Sequence, residues 1–227
     1  MTAILSNLQA IHQAIEQAAK AAQRDPASVH LLAVSKTFPA ESVREAYSAG
    51  QRAFGENYVQ EAVDKINALH DLSLEWHFIG PIQSNKTRDI AENFSWVHGV
   101  DRLKIAQRLS EQRPTDLPPL NICLQVNVSG EASKSGVSPA EVIALTRAVT
   151  QLPRLKLRGL MAIPAPSDDF ELQRLPFAQL RALLQEITAQ GITLDTLSMG
   201  MSHDFAAAIK EGATIVRIGT AIFGKRD

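Results

Sequence analysis

The amino-acid sequence predicts an α/β fold, a single (β/α)₈ barrel with one extra helix at its N-terminus. Three observations predict it. Eight short apolar runs alternate with helical patterns along the chain. The runs begin roughly 20 to 40 residues apart, the spacing that a parallel crossover needs. Eight units of about 25 residues fit within the 227 residues and leave room for one more helix. The main alternative, an open doubly wound sheet, is weaker because no G-x-G-x-x-G opens any helix. No linker, low-complexity segment or short-period repeat divides the chain, so residues 1–227 are expected to form one domain, of which 1–24 are the additional helix.

Each element has a local cause. In residues 1–24, Ile4, Leu8, Ile11, Ile15, Ala18 and Ala22 recur at three- and four-residue steps and share one helical face. Lys20 and Arg24 are expected on the solvated face. Asp25-Pro26 ends the pattern. The first strand-like run is 29–35 (VHLLAVS). The helix after it has Pro39 near its start and Gly50 at its end, the usual asymmetry of helix termini. The second run, 52–55, leads into a helix carrying Val59, Ala62, Val63 and Ile66. The third, 74–80 (LEWHFIG), precedes a polar helix through Ile90. The fourth is 95–100, with Asp101 as the expected N-cap of the next helix. The fifth, 120–128 (LNICLQVNV), is the clearest, and Ser138-Pro139-Ala140-Glu141 after it has the pattern of a capping box. The sixth is 155–163, followed by a helix whose face is Leu180, Leu183, Leu184 and Ile187. The seventh is 194–199, with Ser202 as a candidate cap for the next helix, and the eighth is 213–218.

Composition bounds the function. The chain has 23 basic and 24 acidic side chains, a formal net charge of −1. Such a balance provides no global field to hold nucleic acid or an anionic membrane. No apolar run is long enough to span a bilayer. The start, MTAILSNLQA, lacks the charged and apolar regions of a signal peptide, so a cytosolic chain is expected. One cysteine, Cys123, excludes an internal disulfide framework, and its apolar neighbours mark it as a small core residue. The six histidines, at 12, 30, 70, 77, 98 and 203, show no metal-ligand spacing. Nothing suggests an obligate assembly, and a monomer is expected.

Active sites of such barrels form where strands end and enter the following loops. Lys36 closes the first run after four apolar residues, 31–34. Partial loss of solvation there lowers a lysine pKa and makes the amine available for a Schiff base. By position alone, a lysine snorkelling from a strand end is the commoner case. Gly200 and Ser202 follow the seventh run, and Gly219-Thr220 follows the eighth. Backbone N–H groups at helix starts bind phosphate, and glycine permits close approach. Taken separately, Ser202 as an N-cap only and Gly219 as a turn glycine only are the commoner cases. Together with the lysine they suggest a phosphorylated aldehyde cofactor, pyridoxal phosphate. Ile215 and Arg217 share one strand face. An inward Arg217 would donate to the pyridine nitrogen and leave it unprotonated, a poor electron sink. An outward arginine paired with a carboxylate is the alternative.

These residues occur within longer segments: LLAVSKT (31–37), FGENYVQE (54–61), WHFIGPIQSNK (76–86), SKSG (133–136), RGLMAIPAP (158–166), LSMGMSHDF (197–205) and VRIGTAIFG (216–224). In this order they resemble the pyridoxal phosphate homeostasis protein family, over essentially the whole chain. The resemblance implies a fold-type III barrel related to the N-terminal domain of alanine racemase. It implies that Lys36 holds pyridoxal 5'-phosphate as a Schiff base, with Arg217 beside the pyridine nitrogen and Ser202, Gly219 and Thr220 around the phosphate. Asn57, His77, Met161, Ser198 and Gly200 match positions near the ring or the phosphate. It implies a carrier that buffers the cofactor or delivers it to apo-enzymes by transient contact, without robust catalysis. Lys134, in the loop after the fifth run, is a candidate secondary lysine, with a solvated loop lysine as the commoner case.

The competing expectation is a pyridoxal phosphate-dependent amino-acid racemase. That reaction needs an acid/base group on each face of the substrate Cα. Lys36 supplies one. Of the two tyrosines, Tyr47 is expected to pack within the first helix after the barrel begins, which leaves Tyr58. Fewer than ten residues follow the eighth run, too few for the β-rich domain that supplies a tyrosine in the related racemase fold, so a carrier is the preferred expectation.

Overall fold

Strands buried on both faces must alternate between two apolar environments, and that alternation organises this chain. The computed structural model describes residues 3–130 and 135–224. Its elements follow in the order α1 (Ala3–Ala21), β1 (His30–Val34), α2 (Ala40–Ser48), β2 (Ala53–Glu56), α3 (Val59–Ala68), β3 (Glu75–Phe78), α4 (Thr87–Asn93), β4 (Trp96–Val100), α5 (Leu103–Gln112), β5 (Leu120–Gln125), α6 (Val142–Val149), β6 (Leu155–Met161), α7 (Phe170–Ala189), β7 (Thr196–Ser198), α8 (Phe205–Lys210), β8 (Ile215–Ile218) and α9 (Thr220–Phe223). The strands close in sequence order into a parallel barrel, with β8 pairing back onto β1. All eight expected runs contain a strand. The fifth stops earlier than expected, at Gln125, and Val126 makes only an isolated bridge to Val137.

The outward faces of the strands, including Leu31, Ala33, Phe54, Phe78, Val97, Ile122, Leu124, Val216 and Ile218, form one buried layer with the helices. The inward faces form a second cluster: Leu32, Val34, Ile79, Trp96, Cys123, Met161 and Ile215. Inside the same barrel, His77, His98, Ser198 and Arg217 are buried and hydrogen-bonded to one another. Gly159 lets β6 and β7 approach. A Cβ there would lie 1.8 Å from the carbonyl oxygen of Thr196.

The N-terminal helix packs as its periodicity predicts. Leu8, Ile15 and Ala19 are buried, and Ile4, Ile11, Ala18 and Ala22 pack against the core. Arg24 departs from the expected solvated face. Its Nη1 donates to the carbonyls of Ile209 (2.9 Å) and Ala213 (2.8 Å), which satisfies acceptors at the C-terminal end of α8.

Three expected caps are corrected. Asp101 does not cap α5. Its carboxylate accepts from the guanidinium of Arg102 at 2.8 Å, and Arg102 takes the N-cap position. A charged donor one residue away competes well with a backbone N–H. Ser138 and Glu141 meet side chain to side chain in the turn ahead of α6, which starts only at Val142. Ser202 does not cap α8. The carboxylate of Asp204 accepts from the Met201 N–H at 2.6 Å, and this turn moves the helix start to Phe205. Conversely, Asp169 caps α7 by accepting from the Leu172 N–H at 2.9 Å. No helix among the described residues is long and apolar enough to cross a membrane.

Candidate functional site

The carboxyl ends of β7, β8 and β1 lie side by side in the barrel, and their loops are stitched together. The Arg217 N–H donates to the Gly200 carbonyl at 2.9 Å. Gly219 sits so close to β1 that a Cβ on it would lie 2.9 Å from the Val34 carbonyl oxygen. Gly200 has φ +94°, and a Cβ there would meet the Ala208 Cβ at 2.6 Å. The rings of Phe38 and Phe223 stack with centroids 5.2 Å apart, joining the loop after β1 to α9. Lys36, Gly200, Ser202, Gly219 and Thr220 therefore share one rim. Lys36 and Ser202 are half-buried and Thr220 is exposed.

The residues on both sides of Lys36 are tied down. Lys65 reaches from α3 and donates to the Ser35 carbonyl (2.8 Å), Glu56 Oε1 (2.8 Å) and Glu61 Oε1 (2.6 Å). The Ser35 hydroxyl donates to Glu56 Oε1 at 2.6 Å, and the Thr37 N–H donates to Glu61 Oε1 at 2.6 Å. Thr37 itself holds φ +68°, a left-handed conformation that costs energy for a β-branched residue. Burial pushes the Glu56 carboxyl above its ordinary value, against the opposing pull of Lys65. Among the described residues Glu56 Oε2 is buried without a hydrogen-bond partner.

Arg217 points inward and is 4% exposed, which removes the outward-arginine alternative. Its Nη1 donates to Ser198 Oγ at 2.8 Å and its Nη2 to the Ala162 carbonyl at 2.9 Å. Burial pulls its pKa down to about 10, so the guanidinium remains charged at neutral pH. Met161, at the end of β6, is fully buried in the interior cluster. Asn57 lines a cavity of about 230 Å³ with Ile79, Pro81, Gln125, Ser135 and Ile163. Among the described residues its Oδ1 is buried and has no hydrogen-bond partner, an acceptor left for an incoming donor.

His77 stands apart from this rim. Its Nδ1 lies 2.9 Å from His98 Nε2 and its Nε2 lies 2.7 Å from Glu75 Oε1, so the ring turns toward the opposite end of the barrel. There it lines a larger cavity, about 640 Å³, with the first residues of six strands: His30, Ala53, Glu75, Trp96, Thr196 and Ile215. The larger cavity thus lies at the amino ends of the strands, and the rim containing Lys36 lies at the carboxyl ends. Lys134 falls outside the described residues. Among the described residues no group of three or more His, Cys, Asp and Glu is placed to hold a metal ion.

Four residues at or behind the rim are given no role by the sequence. Lys65 falls one turn from Ala62, on the buried side of α3, and a lysine in such a position signals a buried partner. Glu56 closes β2, and its place at the strand end is legible in the sequence, but its buried partner Lys65 is not. His98 alternates with Trp96 along β4 and so faces inward. Glu61 had no such signal.

Glycines that hold backbone close around the rim, a buried donor-only cation and an unmet acceptor fit a planar ligand bearing an anionic group. Comparison with known proteins agrees. Residues 6–227 match the family described as the alanine racemase N-terminal domain. A pyridoxal phosphate homeostasis protein of Pseudomonas aeruginosa is 65% identical over 227 residues, covering 100% of this chain and 97% of the relative. Its counterpart in Escherichia coli K12 is 54% identical over 230 residues, covering 100% and 98%. The solved structure of PipY from Synechococcus elongatus, with PLP bound, is 40% identical and superposes with a TM-score of 0.85, covering 97% of this chain and 100% of that one.

Proposed function

We propose a function from one premise: the chain belongs to the alanine racemase N-terminal domain family and, within it, to the pyridoxal phosphate homeostasis proteins. In this reading it binds pyridoxal 5'-phosphate at the rim, holds it covalently on Lys36 as a Schiff base, and buffers it or passes it to apo-enzymes on transient contact. It works as a monomer in the cytosol and turns over no substrate at enzymic rates. The bound group supplies an aldehyde that condenses with an amine and releases one water.

The observation that carries this reading is the pairing of a lysine on an anchored loop with a buried arginine inside the same barrel. Lys65 and Glu61 hold the backbone on either side of Lys36, so the amine is presented with little loop motion. Arg217 can only donate, and it stays charged. Facing a pyridine nitrogen, it keeps that nitrogen unprotonated and a weak electron sink, which disfavours carbanion chemistry. Gly200, Ser202, Gly219 and Thr220 supply peptide N–H groups and hydroxyls for the phosphate. Met161 and Ser198 line the interior behind Arg217, and Asn57 offers its unmet acceptor. His77 acts at a distance rather than in contact. The racemase alternative asks for a second acid/base group, and its candidate, Tyr58, is 56% exposed at the head of α3.

Absorbance titration with pyridoxal phosphate and peptide mapping after borohydride reduction test the reading. The wild type is expected to give a protonated Schiff-base band and a labelled Lys36, and Lys36→Ala to lose both; an unchanged adduct in the variant refutes it. Chiral analysis of amino acids separates carrier from racemase, since turnover of about 1 per second or more belongs to an enzyme. Mixing loaded protein with an apo-enzyme separates delivery from buffering. Activation no faster than spontaneous release leaves buffering alone.

A further inference from the structure

A line of polar side chains crosses the barrel interior from the rim to the opposite end. Arg217 Nη1 donates to Ser198 Oγ at 2.8 Å. Ser198 Oγ lies 2.7 Å from His98 Nδ1, and His98 Nε2 lies 2.9 Å from His77 Nδ1. His77 Nε2 lies 2.7 Å from Glu75 Oε1. Ser198 and His98 are 0% exposed and His77 is 2% exposed, whereas the Glu75 side chain is 52% exposed in the cavity at the amino ends of the strands.

The donor direction follows by elimination. A guanidinium has no acceptor, so Ser198 receives its hydrogen and keeps its own for His98 Nδ1. A neutral His98 then carries its proton on Nε2 and donates to His77 Nδ1. A neutral His77 likewise carries its proton on Nε2 and donates to the Glu75 carboxylate. Burial holds both imidazoles below their ordinary pKa, so the neutral rings this pattern requires are the forms present. The hydrogen bond from His77 keeps the Glu75 carboxyl below its ordinary value and therefore ionised. Every acceptor end in the line faces Arg217, and a carboxylate closes it. Among the described residues, the hydrogen-bond acceptors of the buried guanidinium are neutral oxygens, Ser198 Oγ and the Ala162 carbonyl. Burying a charge on such partners is costly, and dipoles aligned toward it offset part of that cost. A flipped imidazole would turn a donor toward Ser198 and release its hydroxyl from this orientation.

We propose that Glu75, His77 and His98 are positioning residues for Arg217: through Ser198 they set the orientation and donor strength of the guanidinium that faces the cofactor ring, and they do so from a carboxylate open to the opposite end of the barrel. The inference rests on the reading that Arg217 faces the ring of pyridoxal phosphate. It makes the amino-end cavity a remote control point for the rim, since a change of charge at Glu75 is carried along the line.

Nitrogen NMR of the histidines in the full chain, together with pyridoxal phosphate titrations of the wild type, Glu75→Gln and His98→Gln, tests it. Both rings are expected as neutral Nε2–H tautomers in the protein without cofactor. Glu75→Gln, at the exposed end, and His98→Gln, at the centre, are each expected to weaken cofactor binding about threefold or more and to move the absorbance maximum of the bound cofactor in the same direction. A proton on Nδ1 of either ring overturns the relay, whatever the titrations show. A wild-type band that both variants leave at the same wavelength and affinity overturns the relay and leaves the cofactor reading standing. A wild type that forms no band overturns both.

Discussion

Replacing Lys65 by methionine separates the anchoring of Lys36 from its chemistry. The Lys65 side chain is 7% exposed and pairs with Glu56, which is 0% exposed. Methionine keeps the length of the stem and removes the charge. It strands a buried carboxylate and leaves the Ser35 carbonyl without this donor. Breaking a buried pair by removing one partner costs about 3–5 kcal/mol, a large part of the total stability of an ordinary domain. The second pair, to the partly exposed Glu61, adds little. The pH dependence has a definite sign. Burial already raises Glu56 above its ordinary 4.5, and Lys65 opposes that rise. Without Lys65 the folded carboxyl is raised further and binds its proton more readily than in the unfolded chain. Stability is then retained below the unfolded value and lost as pH rises through the folded one. The deficit of Lys65→Met is therefore expected to be largest at pH 7 and to shrink at pH 5, and Lys65→Met/Glu56→Gln is expected to recover most of it. Denaturant unfolding of the three proteins at both pH values measures this. The loosened loop also predicts weaker uptake of pyridoxal phosphate by the folded variant. A Lys65→Met protein within about 1 kcal/mol of the wild type at pH 7, or a deficit equal at both pH values, refutes the reasoning.

Other outcomes follow from burial and packing. Gly159→Ala places a Cβ 1.8 Å from the Thr196 carbonyl, so β6 and β7 must separate; a loss of about 3 kcal/mol or more, or failure to accumulate folded protein, is expected in unfolding measurements. Burial pushes the Cys123 thiol up to about 12, so a thiol reagent at pH 8 is expected to label it only after denaturation. His77 and His98 have folded pKa values below 6.5, so the unfolded chain takes up protons first; stability is full above 6.5 and drains as pH falls below it, by up to about 1.4 kcal/mol per pH unit for each ring. Unfolding midpoints between pH 7 and 5 report this, and His98→Gln is expected to flatten the dependence.

The strands were legible because their signal is local. Eight apolar runs announce eight strands, and the alternation in IVRI already puts Ile215 and Arg217 on one face. The caps were less legible. Asp101, Ser138 and Ser202 each have a nearby competitor for their hydrogen bond, and which donor wins depends on where the backbone has been led. Arg24 reads as a solvated helix residue until α8 ends beside it.

The sequence by itself determined the barrel, the order of its units and the polar residues that close the strands, since periodicity and strand ends are properties of neighbouring residues. The tertiary structure decided who meets whom. Ser198 and His98 are 100 residues apart in the chain and 2.7 Å apart in the barrel. Lys65 reaches Ser35 across 30 residues. His77, which sequence places with the rim residues, turns to the other end because His98 and Glu75 satisfy its two nitrogens there. Closing the sheet brings inward side chains from distant strands into one small volume that excludes water. Their polar atoms must then find one another, and no single stretch of sequence encodes that pairing.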